Sequence, residues 1–213
     1  MTNSRNQPSD ERQAHLPFES IKVGVIGRYS WKALDQRWMH HLEKFDALDD
    51  EDLRAKETCA LYGLATYMAC VFESGLKNVV AYSEAFRGKC PSIHKTQKEL
   101  EKKTMGALIR RLKKSIDLDS HSEQLIRVAL RKRNYLAHCF WERRAHHSYS
   151  PVGRKRMVIE LVRSCQLFET ADFVLEPAMQ TYLKEIAKMK GITYEEVQEE
   201  LNRVAEEMKN APH

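Results

Sequence analysis

The sequence lacks a long apolar segment and any feature of a secretory leader. Its longest run without a charged residue extends from Thr58 to Phe72 and contains fifteen residues. A membrane-spanning helix needs roughly 20 predominantly apolar residues, so this run predicts a buried core helix. The first residues, MTNSRNQPSDERQ, are too polar for a signal peptide. We therefore expect a cytoplasmic protein that does not associate with a membrane.

Cysteine is scarce and shows no pattern. The five cysteines lie at positions 59, 70, 90, 139 and 165, and no CxxC pair occurs. This distribution argues against a disulfide framework and predicts reduced thiols. One irregular group of metal-ligating residue types exists, namely His138, Cys139, His146 and His147. Its spacing matches no standard zinc site, and adjacent histidines rarely bind one metal together, so we expect no metal and no cofactor.

Strand patterns are nearly absent after residue 30. Apolar residues instead recur every three or four positions, which predicts an all-α bundle of four to five helices. We divide the chain into an N-terminal extension at 1–48, a helical bundle at 49–190 and a C-terminal amphipathic helix at 191–213. The extension is expected to be disordered over residues 1–20. The apolar run at 21–27 predicts a short strand or a packed arm.

Turn and capping signals give approximate helix boundaries. We predict helices over 49–86, 104–116 and 120–144, and a further helix that carries the apolar residues from Met157 to Phe168 and is kinked or split by Pro177. Ser120 and Glu123 have the spacing of a capping box, in which each side chain bonds the other residue's backbone N–H. Gly191 predicts the end of the bundle, and a second capping box at 193–196 starts the last helix.

Positive charge is concentrated in the middle of the chain. Residues 101–160 contain 15 Lys and Arg against 6 Asp and Glu, whereas residues 1–100 contain 14 of each. Such a concentration attracts polyanions, RNA among them. It is more often the pattern of a solvated Lys/Arg face, so charge alone does not establish a polyanion site.

Arg133 occupies an unusual position on the helix predicted for 120–144. At about 100° per residue, it projects into the apolar arc of the helix. The opposite, polar side consists of Arg127, Arg131, Asn134 and His138. Because a guanidinium never loses its charge, Arg133 needs a counter-charge. Two sources remain open: a structural ion pair with Glu73 or Glu57 of the first long helix, or an anion from outside the chain.

The polar side has the chemistry of a phosphate site. Asn134 and His138 are four residues apart and share one helical face, which Arg131 and Arg127 continue. Two guanidinium groups beside an imidazole and a carboxamide suit a phosphate. Trp141 falls on the Asn134 side and offers a ring on which RNA bases can stack. Tyr135 and Phe140 are expected in the core or in an interface.

The six residues RNYLAH, at 133–138, resemble the R-x(4–6)-H signature of the HEPN superfamily. There the common form is R-N-x-x-x-H, late in a helix of a four- or five-helix bundle. The segment KTMGALIRRLKK, followed by a helix that ends RNYLAHCFW, is similar to a bacterial HEPN-like group. The resemblance covers roughly residues 50–190.

The resemblance implies a metal-independent endoribonuclease that works as a homodimer. The motif helices of two chains would form one cleft, with the scissile phosphate as the counter-charge of Arg133. His138 would act as general base or acid, Asn134 would orient the phosphate or the imidazole, and the products would carry 2′,3′-cyclic phosphates. Toxin and phage-defence roles are common in the superfamily, so an antitoxin or regulatory protein is an expected partner. In one toxin subgroup a cognate nucleotidyltransferase modifies a tyrosine two residues after the motif histidine. This chain has Phe140 there, so this form of neutralisation is not expected.

A second function fits the same residues. The chain would then be a non-catalytic helical module that binds a protein or nucleotide partner and keeps Arg133 as an architectural pair. The amphipathic last helix favours this alternative, since it offers a partner surface. The motif and the basic middle of the chain favour the ribonuclease.

Overall fold

The computed structural model describes residues 21–23, 35–87 and 93–210, and it is almost entirely helical over these ranges. Two strands pair in parallel, β1 at Ile21–Val23 and β2 at Ile116–Leu118. The eight α-helices of the described ranges are α1 (Gln36–Asp46), α2 (Glu51–Phe86), α3 (Ile93–Glu101), α4 (Met105–Ser115), α5 (Ser120–His138), α6 (Phe140–Arg144), α7 (Pro151–Lys190) and α8 (Tyr194–Asn210). A 3₁₀ turn at Ala145–Tyr149 connects α6 to α7. The predicted all-α bundle is confirmed.

The two longest helices, α2 and α7, form the centre of the bundle and share its most extensive helix contact. Ala65, Ala69 and Ala171 are buried, and their small side chains let the two backbones approach closely. Phe72 and Phe168 stack between the two helices with ring centroids 6.3 Å apart. The helices α3, α4 and α5 pack against α2, and α5 also packs against α7. The core therefore lies along α2 and α7, and α5 is held against both.

By length and composition, α2 is the one helix of the described residues that is apolar enough to cross a membrane. Core helices of soluble proteins pass the same test. One side of α2 carries the buried residues Leu61, Ala65, Phe72 and Leu76, which belong to the bundle core. The absence of a membrane association stays a prediction.

The start of α5 differs from the predicted capping box. Asp119, not Ser120, is the N-cap residue: its Oδ1 accepts hydrogen bonds from the backbone N–H of His121 and Ser122 at 2.8 and 2.9 Å. Ser120 is already the first helical residue. The second capping box is confirmed, because Thr193 Oγ1 accepts from the N–H of Glu196 at 3.1 Å and Glu196 Oε2 accepts from the N–H of Thr193 at 2.6 Å.

We expect Asp119→Ala to lower the free energy of unfolding by about 1 kcal/mol, the usual loss when an N-cap acceptor is removed. Ser120→Ala should change it by only a few tenths of a kcal/mol, because Ser120 lies within the helix, where alanine is the better helix former. Urea unfolding of both variants at one protein concentration measures the difference. Equal losses would mean that the cap is shared between the two residues.

The predicted helix over 120–144 is interrupted. The helix α5 ends at His138, and Cys139 has φ −129° and ψ −13°, which is not helical, before α6 begins at Phe140. By contrast, Pro177 does not split α7, which runs without interruption from Pro151 to Lys190. Gly191 ends α7 as predicted: its φ of 67° lies in the left-handed region that glycine adopts without strain.

The N-terminal extension, 1–48, contains a helix that the sequence analysis did not predict. The indole Nε1 of Trp38 in α1 donates to Glu169 Oε2 of α7 at 2.9 Å, and the N–H of Asp35 donates to Gln166 Oε1 at 2.9 Å. Ile21–Val23 forms the predicted short strand. Residues 1–20 lie outside the described residues, as do residues 24–34, which include the rest of the 21–27 run. The short helix α3 was also missed, because its sequence is mostly polar.

Candidate functional site

Arg133 projects from α5 towards α2, as its place in the apolar arc predicts. Its Nη2 lies 2.7 Å from Glu73 Oε2, and its side chain is 28% exposed. Glu57, the other carboxylate considered, instead contacts Lys44 at 3.0 Å. The nearest counter-charge of Arg133 therefore comes from its own chain.

The pairing of Arg133 with Glu73 leaves the guanidinium only partly satisfied. Glu73 also contacts Lys77 Nζ at 2.8 Å, so one carboxylate faces two cations. The Nη1 of Arg133 donates to Asn134 Oδ1 at 3.2 Å. A guanidinium carries five N–H donors in a fixed fork, so donors remain for an anion. Glu73 and Asn134 together hold the fork at the side of α5 that carries Asn134.

His138 is the last residue of α5 and is exposed, as is Asn134 one turn earlier. The i, i+4 spacing places their side chains on one face of the helix. Among the described residues His138 has no hydrogen-bond partner, so its ring nitrogens are open to solvent. Arg133 therefore contacts Asn134 from the flank of α5, and Asn134 shares its helical face with His138, but no contact among the described residues joins Arg133 to His138.

The two predicted RNA-binding arginines differ in their environment. Arg127 is ion-paired with Glu123 of the first turn of α5, with Nη2 2.6 Å from Oε1. Glu123 also contacts Lys113, and hydrogen bonds from Lys113 and Arg127 hold the pKa of Glu123 below its ordinary value. Arg131 is exposed and has no ion pair with any described residue. Arg131 is therefore the more available cation for a phosphate.

Trp141 follows the interruption after His138, so the helical period of α5 does not determine the direction of its side chain. It lies on α6, where its ring packs against Tyr62 of α2 at 5.1 Å and against Phe140 at 5.4 Å. The helical period of α5 therefore does not place Trp141 on the Asn134 side. Trp141 keeps 38% exposure, which leaves part of the ring available for stacking. Phe140 is buried, as expected.

Tyr62 is a supporting residue that the sequence analysis missed. Its ring stacks on Phe140 at 5.3 Å, and its hydroxyl donates to the carbonyl of Leu136 at 3.1 Å. This carbonyl belongs to the last turn of α5, where carbonyl groups lack helical partners. Tyr62 thus fixes the end of α5, where His138 lies, against α2. Its position in a charge-free run gave no hint of this role.

The outer face of α2 beside this site carries no charge. Every exposed residue of α2 between positions 59 and 74 is uncharged: Cys59, Ala60, Gly63, Tyr67, Cys70, Val71 and Ser74. Tyr67 is 66% exposed and, with Val71 and Phe173, lines a groove of about 740 Å³ between α2 and α7. The sequence signal was the charge-free run itself, which we assigned wholly to the core.

The histidine and cysteine group considered for zinc does not come together as a site. Within the described ranges, no set of three or more His, Cys, Asp and Glu side chains is placed to hold a metal ion. The ring centroids of His146 and His147 lie 4.0 Å apart on the 3₁₀ turn that follows α6. Cys165 is buried, and burial raises the pKa of its thiol to about 12, so this thiol is unreactive.

No family model matches this chain, and no match was found among curated proteins or solved structures. The resemblance of residues 133–138 to the HEPN signature therefore stays a prediction.

Proposed function

We propose that this protein is a metal-independent endoribonuclease whose active site contains Arg133, Asn134 and His138. The observation that carries the proposal is the position of the Arg133 guanidinium. Its hydrogen bond to Asn134 shows that the side chain reaches the edge of α5 on which the exposed Asn134 and His138 lie. A cation, a carboxamide and an imidazole at one solvent-facing edge suit the cleavage of a phosphodiester.

The chemistry uses the 2′-hydroxyl of the RNA as the nucleophile. One imidazole takes the proton of this hydroxyl while its oxygen attacks the phosphorus, and the bond from phosphorus to the 5′-oxygen of the next nucleotide breaks. A second imidazole donates a proton to the departing 5′-oxygen. The products are a 2′,3′-cyclic phosphate and a 5′-hydroxyl. Two copies of His138, one from each chain of a homodimer, supply the base and the acid.

The uncharged outer face of α2 supports a homodimer next to this site. It adjoins the flank of α2 that carries Tyr62 and Glu73, both in contact with α5. Depletion of charge is typical of the centre of a protein–protein interface, and Gly63 and Ala60 allow close approach of a second helix. We place the second copy here, so that two α5 helices border one cleft.

We expect Gly63→Glu to convert the dimer to a monomer and to abolish RNA cleavage. A Cβ at Gly63 would meet no atom within 4 Å, so the isolated chain accommodates the side chain, whereas an interface would bury its charge. Gly106→Glu is the matched control, since it adds the same charge at an exposed position of α4. Light scattering after size exclusion measures the mass, and circular dichroism checks the helicity. A dimer that persists in Gly63→Glu would exclude this face.

We expect RNA binding to weaken steeply with salt, because phosphate contacts release counterions. Arg131→Ala should weaken binding to unrelated RNAs more than Arg127→Ala, since Arg127 is already neutralised by Glu123. Fluorescence anisotropy in the His138→Ala background, which prevents cleavage, measures the affinity at several salt concentrations. An affinity that does not change with salt would remove the basic surface from the proposal.

The direct test of the function is incubation of the purified protein with total RNA, with product ends analysed for 2′,3′-cyclic phosphates. Cleavage into fragments with these ends supports the proposal, and intact RNA at every protein concentration contradicts it. A toxin or phage-defence role and an antitoxin partner belong to the same proposal, and a cytoplasmic location follows from an RNA substrate.

A second candidate function has one specific observation in its favour. The contact between Arg133 and Glu73 is the structural ion pair that a non-catalytic helical module would keep. In that case the motif maintains the packing of α5 against α2, and the protein acts by binding a protein or nucleotide partner. A comparison of Arg133→Ala with Glu73→Gln separates the two functions.

A further inference from the structure

A second group of charges lies where α5 and α6 meet α7. Glu160 of α7 accepts from Lys132 Nζ on Oε1 at 3.0 Å and from Arg144 Nε on Oε2 at 2.7 Å. Arg156 and Arg163 lie on the same face of α7, because they are four residues before and three residues after Glu160. Four cations therefore surround one carboxylate.

Glu160 cannot neutralise all four cations. Although burial by itself raises the pKa of Glu160, the hydrogen bonds from Arg144 and Lys132 outweigh it and hold the pKa below the ordinary value. The carboxylate is thus ionised and both of its oxygens are already engaged. Arg156 and Arg163 are exposed, and neither forms an ion pair with any residue in the described ranges. The cluster keeps an excess of positive charge.

These side chains line a groove that also has an apolar wall. The groove has a volume of about 580 Å³, and its lining combines Lys132, Arg144, Arg156, Glu160 and Arg163 with Val128, Ile159 and Leu167. Small-molecule sites usually have volumes of roughly 300–1,000 Å³ and combine an apolar surface with a few polar groups. A fully solvated basic surface needs no such concavity. The groove therefore has the size and composition of a ligand site.

We propose that this groove binds a ligand of the nucleotide class, with its phosphate on Arg156 and Arg163 and its base against Val128, Ile159 and Leu167. A guanidinium presents a planar pair of donors that matches two phosphate oxygens. Arg156 and Arg163 are about 10 Å apart along α7, and their long side chains can converge on one phosphate group or contact successive ones. The proposal does not depend on the ribonuclease activity, since it involves neither His138 nor Arg133.

The first test is a calorimetric titration of the full-length protein with ATP at low salt. Arg156→Ala combined with Arg163→Ala should weaken binding roughly tenfold or more, because two charge-assisted contacts are lost. Lys188→Ala combined with Lys190→Ala is the matched control, as it removes two charges from the exposed last turn of α7. Equal weakening by both double variants would overturn the proposal. So would a wild-type protein that neither binds ATP nor prefers an RNA strand with a 5′-phosphate, the second probe described below.

Two substitutions of the same residue, Ile159, isolate the effect of charge at the groove wall. Ile159→Glu places a carboxylate beside the phosphate position, whereas Ile159→Gln introduces a side chain of the same shape without a charge. We expect Ile159→Glu to weaken ATP binding much more than Ile159→Gln. Equal effects of the two variants would show that the phosphate does not lie in the groove.

The phosphate can belong to a free nucleotide or to the end of an RNA strand. A ten-residue RNA with and without a 5′-phosphate, bound to the His138→Ala protein, separates the sources. If the protein prefers the 5′-phosphorylated strand, and Arg156→Ala combined with Arg163→Ala removes this preference, the groove binds an RNA end. Binding of ATP without such a preference assigns it to a free nucleotide. Either result leaves the ribonuclease proposal untouched, because no cleavage is measured.

Discussion

His138→Ala is expected to abolish RNA cleavage: one general acid or base usually contributes about 10²–10⁴-fold, and the variant homodimer loses both. His138 is exposed at the end of α5 and has no hydrogen-bond partner among the described residues, so its replacement should leave the fold unchanged. The measurement is the rate of cleavage of a labelled RNA under single-turnover conditions. Addition of EDTA to the wild-type protein should leave this rate unchanged, since the proposed mechanism uses only side chains.

His121→Ala is the matched control, because His121 is an exposed histidine of the first turn of the same helix. It should cleave at the wild-type rate. If His138→Ala also cleaves at that rate, the assignment of the site is wrong, whatever RNA the protein acts on. If EDTA stops cleavage by the wild-type protein, the metal-independent mechanism is wrong even where the histidine is essential.

Arg133→Ala and Arg133→Lys are both expected to abolish cleavage while the protein stays folded. Arginine stabilises the developing charge on the phosphate through a planar fork that the point charge of lysine does not reproduce. The loss of stability should be small, about 1 kcal/mol, since the pair with Glu73 is partly exposed. Glu73 moreover keeps its contact with Lys77 at 2.8 Å, so its charge is not left without a partner.

Glu73→Gln separates the catalytic from the structural role of this pair. If Arg133 is catalytic and Glu73 only positions it, Glu73→Gln should reduce cleavage less than Arg133→Ala, although both variants break the same ion pair. If the pair is structural, the two variants should lower the free energy of unfolding by similar amounts and alter binding or cleavage only through that loss. Urea unfolding and cleavage assays on both variants and on the double variant distinguish the two cases. Unfolding of Arg133→Ala and Glu73→Gln alike would favour the non-catalytic module.

The long helices were predictable because their signals are local and repeated. Apolar residues at three- and four-residue spacing define α2, α4 and α7, and the observed ends of α2 and α4 lie within two residues of the predictions. The start of α5 was ambiguous by one residue, since Asp119 and Ser120 are both good N-cap residues. Here the aspartate provides the cap, with a stronger, charged acceptor.

The placement of Arg133 could be predicted only in part. The helical period placed its side chain in the apolar arc of α5, and Glu73 was one of the two carboxylates considered as its ion-pair partner. The choice of Glu73 over Glu57 depends on the axial register of α5 against α2, which no local pattern encodes. The interruption at Cys139 was equally hidden, because the segment contains no Gly or Pro. There the burial of Phe140 against Tyr62 outweighs the continuation of the helix.

The basic groove could be predicted from the sequence only in part. Arg156, Glu160 and Arg163 have the spacing of one helical face, but this pattern is common on solvated helices. The groove forms because Lys132 and Arg144, which belong to two other helices, both contact the Glu160 carboxylate. Such convergence depends on tertiary packing and is therefore outside the reach of a single-sequence argument.

The anchoring of α1 has a consequence for biosynthesis. Trp38 bonds to Glu169, and Ile21 pairs with Ile116, so the N-terminal part of the chain binds to segments that are made much later. At about 5–20 residues per second, Trp38 waits on the order of 10 s for its partner. During that interval the indole of Trp38 is not packed in a core, and α1 is available for chaperone binding. The order of synthesis thus makes α1, the first helix of the described residues, one of the last to dock.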